Sequence, residues 1–316
     1  MGAARVAYRC WQVYWAHICL FLAVAATMAA LNATGAFPRD YVGQLNLHPF
    51  FDNAASNLVG LVTLTYVPNY FDILPMYLVI LVMLPVFMAL ARLRPELALA
   101  GVVALWVLAQ MDVLALPAEP WSDREWFFNP FGWQLVFFTG FALMSGWLPA
   151  PPVDRRLIIS AAAIILMIVP LAHFPIYREV EVLGQWRAGL APLIEKTDFG
   201  LLRYVHFLAL AYLAWAAAGP VGSRLMPPKG DGMFERTWRS GLAVVQTVGQ
   251  QSLAVFIASM YLARLLGVML DVAGRTHATM ALVNLGGMAV LVAVAYGAGW
   301  FKSGPWRQTP RKAGPC

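Results

Sequence analysis

The stretch ILPMYLVILVMLPVFMALA, residues 73–91, contains no charged group and is closed by Arg92 and Arg94. A helix rises about 1.5 Å per residue, so roughly 20 such residues cross a hydrocarbon core about 30 Å thick. Comparable windows lie at 10–31, 97–116, 131–148, 156–174, 201–219, 241–270 and 278–300. Lipid offers the backbone no water, which leaves helices and closed barrels as the only spanning structures. Windows of this length are helical rather than barrel-like, and the fold class is therefore all-α: a polytopic transmembrane helix bundle of about eight spans.

Composition agrees. Of 316 residues, 60% are hydrophobic and 12% charged, an apolar share beyond what a soluble core of this size requires. The net charge of +6 is spread through short connections rather than gathered in a patch. That distribution argues for topology and against a nucleic-acid partner. Arg5, Arg9, Arg92, Arg94, Arg155, Arg156, Arg224, Lys229, Arg236, Arg239, Lys302, Arg307, Arg311 and Lys312 fall on one side of the alternating spans. By the positive-inside rule that side is the cytoplasm, with both termini inside and residues 301–316 forming a basic cytoplasmic tail. The opposite connections hold fewer cations, Arg39, Arg124, Arg178, Arg187, Lys196 and Arg275, and most of the acids. The chain reads as a single integral membrane domain over 1–316.

Arg5 and Arg9 ahead of an apolar run also fit a signal peptide. The length of the run, with Trp11, Tyr14, Trp15 and His17 inside it, favours a retained helix. Residues 241–270 exceed one straight crossing and contain Gly249-Gln250-Gln251-Ser252, which predicts a tilt or local break. Ala54 to Val67 is apolar but too short to cross and is expected to lie in the interface or re-enter. Cys10 and Cys19, nine residues apart on one helix, would lie about 13 Å apart along its axis, too far for a disulfide. Neither these nor Cys316 belongs to a metal-ligand or disulfide pattern.

Three polar and aromatic segments precede spans on the predicted outer face. Before the span at 73, Asp72 stands near a positive helix terminus and Pro75 fits the first turn. Before the span at 131, Asn129 is placed to cap and Pro130 to open the helix, with Trp133 at interfacial depth. Gln134 lies about a turn inside, where its amide needs either a neighbouring helix or a sugar hydroxyl. At the start of the span at 201, Arg203 and His206 are three apart and share a face. Histidine is the residue type whose ordinary pKa suits proton transfer near neutral pH, which makes His206 a candidate, although a histidine hydrogen-bonded within the bundle fits the same pattern. His17, His173 and Arg264 are further polar groups in or near spans, and nothing in the sequence places them beside these clusters.

As a set, Tyr70-Phe71-Asp72-Ile73-Leu74-Pro75-Met76-Tyr77, Trp126-Phe127-Phe128-Asn129-Pro130-Phe131-Gly132-Trp133-Gln134, Phe199-Gly200-Leu201-Leu202-Arg203-Tyr204-Val205-His206-Phe207 and Gly249-Gln250-Gln251-Ser252-Leu253-Ala254-Val255-Phe256 resemble the OpgC family in order and spacing. Members are bacterial inner-membrane proteins that succinylate osmoregulated periplasmic glucans and are related in fold to the membrane acyltransferase-3 group. The resemblance implies about two further helices ahead, the first bearing an Asp, an Arg-Gly pair and a downstream His of the active centre. This chain begins where the family's third helix begins and is expected to be short at its N-terminus.

The resemblance also implies an O-acyltransferase of the bacterial inner membrane. Its donor is a cytoplasmic thioester, succinyl-CoA or similar, used as co-substrate with no bound cofactor, and its acceptor is a hydroxyl of a periplasmic glucan. His206 is then the candidate base or orienting group and Arg203 the holder of a carboxylate or phosphate. Asp72, Tyr77, Asn129, Trp133 and Gln134 are substrate-positioning candidates, and Gln250 and Ser252 lie where a passage for the donor is expected; no metal is called for. The alternatives are a glycan or lipid transporter or flippase, and an inactive or accessory protein working with a complete partner.

Overall fold

A computed structural model of the protein describes residues 2–37 and 39–307. Helices α1 (Gly2–Ala33), α2 (Tyr41–Gln44), α3 (His48–Asp52), α4 (Ala54–Thr63), α5 (Ile73–Leu93), α6 (Pro95–Gln110) and α7 (Pro130–Met144) make up the first half. The second holds α8 (Arg155–Ala172), α9 (Phe174–Glu179), α10 (Glu181–Gly189), α11 (Leu201–Ala218), α12 (Met233–Gln250), α13 (Ser252–Ala273) and α14 (His277–Ser303). Among the described residues the one extended pairing is an isolated bridge between Pro117 and Glu125.

Six of these helices, α1, α5, α8, α11, α13 and α14, are long and apolar enough to cross a membrane. Val82, Val86, Leu166, Met167, Leu282 and Leu285 on them are exposed, as lipid-facing positions are. The protein is a multi-pass membrane protein. The expected spans at 97–116 and 131–148 are shorter than predicted. Helices α6 and α7 have 16 and 15 residues, about 24 Å of helix against a core of about 30 Å. Asp112, in the left-handed region (φ 55°), turns the chain after α6. At the end of α7 the Trp147 and Gly146 amides donate to Ala142 O and Leu143 O, with Gly146 at φ 73°, the left-handed closure that glycine permits.

The expected break at Gly249–Ser252 is present at Gln251, which separates α12 from α13. The span predicted at 241–270 is corrected to 252–273, because α12 carries Glu235, Arg236, Arg239, Gln246 and Gln250 along one face. The basic tail is described only to Arg307; Arg311, Lys312 and Cys316 lie outside the described residues.

The described residues group into two compact units. One contains residues up to 18 together with 41–224, and the other 19–40 together with those from 225 onward. In the first unit α5, α6 and α7 pack on one another around Ile80, Leu84, Phe87, Ala98, Val102, Leu135 and Phe138. Phe87 and Phe138 meet at 4.5 Å between ring centroids. Helix α8 packs on α11 and on the α9–α10 hairpin. Helix α4, in the apolar stretch judged too short to cross, receives the Tyr14 hydroxyl at Val62 O (2.8 Å).

In the second unit α13 and α14 form a hairpin joined by Gly274, Arg275 and Thr276. Arg275 pairs with Asp271 at 2.8 Å, and Thr276 and Thr279 close a reciprocal capping box on α14. Thr27 on α1 and Tyr261 on α13 bond through their hydroxyls at 3.0 Å.

Candidate functional site

The three motif segments meet in the first unit. Asn129 begins α7 as expected: its Oδ1 accepts the Phe131 amide, while Nδ2 donates to Leu114 O (2.6 Å) and Asp198 Oδ1 (2.8 Å). The Asn129 amide in turn donates to Thr197 O. Trp133 Nε1 donates to Lys196 O, and Lys196 Nζ lies 4.7 Å and 5.1 Å from the Phe127 and Phe128 ring centres. The stretch 196–199 is thus sewn to the segment at 126–133 by side chains of both.

Phe199 has φ 58°, a left-handed conformation that costs a bulky residue roughly 1–3 kcal/mol. Its surroundings impose it. Gln110 Nε2 donates to Asp198 O, Trp106 Nε1 donates to Phe199 O, and the buried ring packs against Trp133 and Tyr204. The turn starts α11 at Leu201 and sets the direction in which Arg203 and His206 leave the helix.

Asp72 departs from the expectation of a capping acid. It precedes α5, yet its side chain makes no cap; Oδ2 accepts the Phe127 amide at 3.1 Å, and the residue is 1% exposed. Burial pushes its carboxyl above the usual carboxylate range, only partly offset by backbone hydrogen bonds from Asp72 and Phe127 and by the charges of Arg124 and Lys196. A folded pKa above the unfolded one contributes stability that is complete below about pH 4 and is lost as pH rises through the folded value. Asp72→Asn keeps an acceptor for Phe127 and is therefore expected to match or exceed the parent in stability at pH 7. The parent should gain on it as pH falls toward 4. Asp72→Ala leaves a buried N–H unsatisfied and should cost ~1–3 kcal/mol. Unfolding of the three proteins in one detergent between pH 4 and 8 checks both statements.

Gln134 also spends its side chain on the protein. Nε2 donates to Val102 O on α6 at 2.8 Å and to Phe131 O at 3.1 Å, while Oε1 is buried without a hydrogen-bond partner among the described residues. The helix partner, rather than an open position for a sugar, accounts for its donor. Tyr77 lies against Phe137, 6.3 Å between centroids. Nearby, Glu119 accepts from Arg124 at 2.9 Å and from Ser122 at 2.6 Å. Burial alone would raise the Glu119 carboxyl, but these partners outweigh it and hold it below its ordinary value. Burial raises Asp198, opposed by Asn129 and reinforced by Asp112 and Glu195.

Arg203 and His206 occupy a different place from this buried latch. They line a cavity of about 190 Å³ with Arg187, Ile168, Leu171, Ala172, Leu190, Ile194 and Leu202. A second cavity of about 440 Å³ shares Arg187, Ile194 and Arg203 and adds Tyr177, Gly184, Ala188, Ala191, Glu195 and Lys196. Arg203 Nε donates to Ile194 O at 2.6 Å. Asp72, Tyr77, Asn129, Trp133 and Gln134 line neither cavity; Asn129 and Trp133 hold the stretch 196–199 from which α11 starts. The two cavities are concave and largely apolar, with the Arg187 and Arg203 guanidiniums and the His206 ring among their lining, an arrangement able to hold an anion.

In the sequence Arg187 reads only as a cation of an outer connection, and nothing there marks the α9–α10 hairpin that carries it to the cavities. Its guanidinium lies 4.5 Å from the Tyr177 ring centre and donates to Leu171 O at 2.8 Å. The Tyr177-Arg178 and Trp186-Arg187 pairs in a connection between spans were the available signal. Gln250 and Ser252 are exposed in the second unit, and between them Gln251 is buried with Oε1 lacking a hydrogen-bond partner among the described residues. His17 is wholly buried on α1, and among the described residues neither ring nitrogen has a hydrogen-bond partner.

No curated protein and no solved structure matches this chain. A family model described as OpgC protein matches residues 1–303, nearly the whole length, including all four motif segments. With helices that cross a membrane and a match of this extent, the chain belongs to the OpgC family, whose domain points to a membrane acyltransferase-like function in glucan modification.

Proposed function

We propose that this protein is an O-acyltransferase of the bacterial inner membrane that moves a succinyl-like group from a cytoplasmic thioester, succinyl-CoA or similar, to hydroxyls of a periplasmic glucan. The observation that carries this reading is the family match over 1–303. The cavity bearing Arg203 and His206 is compatible with the chemistry.

In the reaction the His206 imidazole takes the proton of the sugar hydroxyl as the oxygen attacks the thioester carbonyl. The tetrahedral intermediate collapses with cleavage of the C–S bond, and the departing thiolate recovers the proton. Arg203 supplies positive charge to the anionic acyl group or its donor. The aromatic segment at 126–133 and the residues around Asp72 hold α11 in position; their part in sugar binding is through that support. Donor and acceptor come from opposite sides of the membrane, which requires a passage through the protein.

Expression in cells that lack the glucan acyltransferase tests the proposal. Glucan extracted from them should gain negative charge and the mass of the acyl group. Neutral, unmodified glucan from well-expressed protein defeats the acyltransferase reading and turns attention to transport of glycan or lipid.

A further inference from the structure

We propose that Arg187 and Arg203 form a clamp for an oxyanion, and that its ligand is the free carboxylate of a short dicarboxylic acyl group whose other carbonyl faces His206. The identity of the ligand rests on the transfer reaction proposed above; the clamp itself does not.

Arg187 and Arg203 each line both cavities, of about 190 and 440 Å³. Each is tied by a single described hydrogen bond to a backbone carbonyl of a different element. Arg187 reaches Leu171 O at the end of α8, and Arg203 reaches Ile194 O in the turn before α11. A guanidinium has five N–H donors, so most of each fork remains for a ligand. Among the described residues neither arginine forms an ion pair. Glu195, the one acid lining either cavity, accepts the Lys196 and Thr197 amides and also acts on Arg203 as an opposite charge without forming an ion pair with it. Arg203 also feels the like charge of Arg187, and two half-buried guanidiniums with one carboxylate near them leave room for a further anion.

The walls choose the kind of anion. Beyond the arginines the smaller cavity is aliphatic apart from His206. A sugar placed there would leave its hydroxyls without partners, at a cost of roughly 1–3 kcal/mol for each one buried. A short methylene chain meets no such penalty. Carboxylate at the arginines, methylenes along Leu171 and Ile194, and a reactive carbonyl toward His206 place the acyl group in the smaller cavity, beside the base that activates the attacking hydroxyl.

A lipid phosphate would satisfy the same two arginines, and the test separates the sources. The probe is monomethyl succinate, added to the purified chain in phosphatidylcholine nanodiscs while the unfolding midpoint is followed. We expect a saturable rise with this probe and none with dimethyl succinate, which lacks the carboxylate, or with inorganic phosphate. Arg187→Gln should weaken the response by about tenfold or more, the effect of losing a charge-assisted bond. Arg187→Lys, which keeps the charge but not the fork, should fall between.

Equal response to the two esters, or full response in Arg187→Gln, overturns the clamp. Stabilisation by phosphatidylglycerol or phosphate, with none by the monoester, makes it a phosphate site and overturns the acyl assignment. If Arg187→Gln misfolds, Arg187→Lys with an unchanged unliganded midpoint decides. Arginine-dependent binding of the monoester in a protein that modifies no glucan would leave the clamp standing and remove the transfer reaction.

Discussion

Gly132→Ala is expected to destabilise the protein by ~3 kcal/mol or more, the upper range for overpacking, because the added methyl would meet backbone rather than a side chain. A Cβ at Gly132 would run into the Asp198 carbonyl, carbonyl carbon and Cα. The Asp198 backbone has nowhere to go: its oxygen accepts from Gln110, its side chain accepts from Asn129, and Phe199 follows in its left-handed turn. Gly200→Ala should behave alike, since its Cβ would strike Leu193 O and its carbonyl carbon. Gly140→Ala on the same helix as Gly132 has no heavy atom within 4 Å of the new carbon. There the change should be neutral or stabilising by up to ~1 kcal/mol. Unfolding of all three in one detergent gives the comparison; equal stability of the Gly132 and Gly140 variants would mean that the two segments do not approach as closely as described.

The second large effect concerns turnover. His206→Ala is expected to lower glucan modification by about 10²-fold or more, the contribution of a positioned base, with protein level unchanged. Its half-buried ring stands at a cavity wall rather than in the helix core, so truncation spares the packing. Arg203→Ala should lower modification as well, and it also removes the bond to Ile194 O. Arg203→Lys is therefore the informative companion: retained fold with reduced modification points to the fork, not to the turn it braces. Undiminished modification in both alanine variants would make these residues structural.

These effects divide the motif residues into two groups that look alike in sequence. Apolar length located the membrane helices, because the bilayer imposes it regardless of tertiary packing. Alternating loops placed the segments at 72, 129 and 203 together, and hydrogen bonds between Asp72 and Phe127 and between Asn129 and Asp198 join them. The destination of each polar group was not readable. Asp72 has the position of a helix cap, but the amide it satisfies lies 55 residues away. Gln134 finds a carbonyl on α6, a partner set by how two helices pack. Arg187 resembles any charged residue of a connection until the α9–α10 hairpin folds it back over Tyr177. The expected span at 241–270 took in residues 241–250 because windowed hydropathy averages over the two faces of an amphipathic helix.

Transfer itself is the central claim, and sealed vesicles containing the purified chain test it most directly. Labelled succinyl-CoA is supplied on one side and neutral glucan on the other, and label on the glucan is measured by mass and charge. The account predicts acyl esters on the glucan, at a rate sharply reduced in His206→Ala. Glucan that stays neutral and unlabelled, with folded protein and intact donor present, would contradict it.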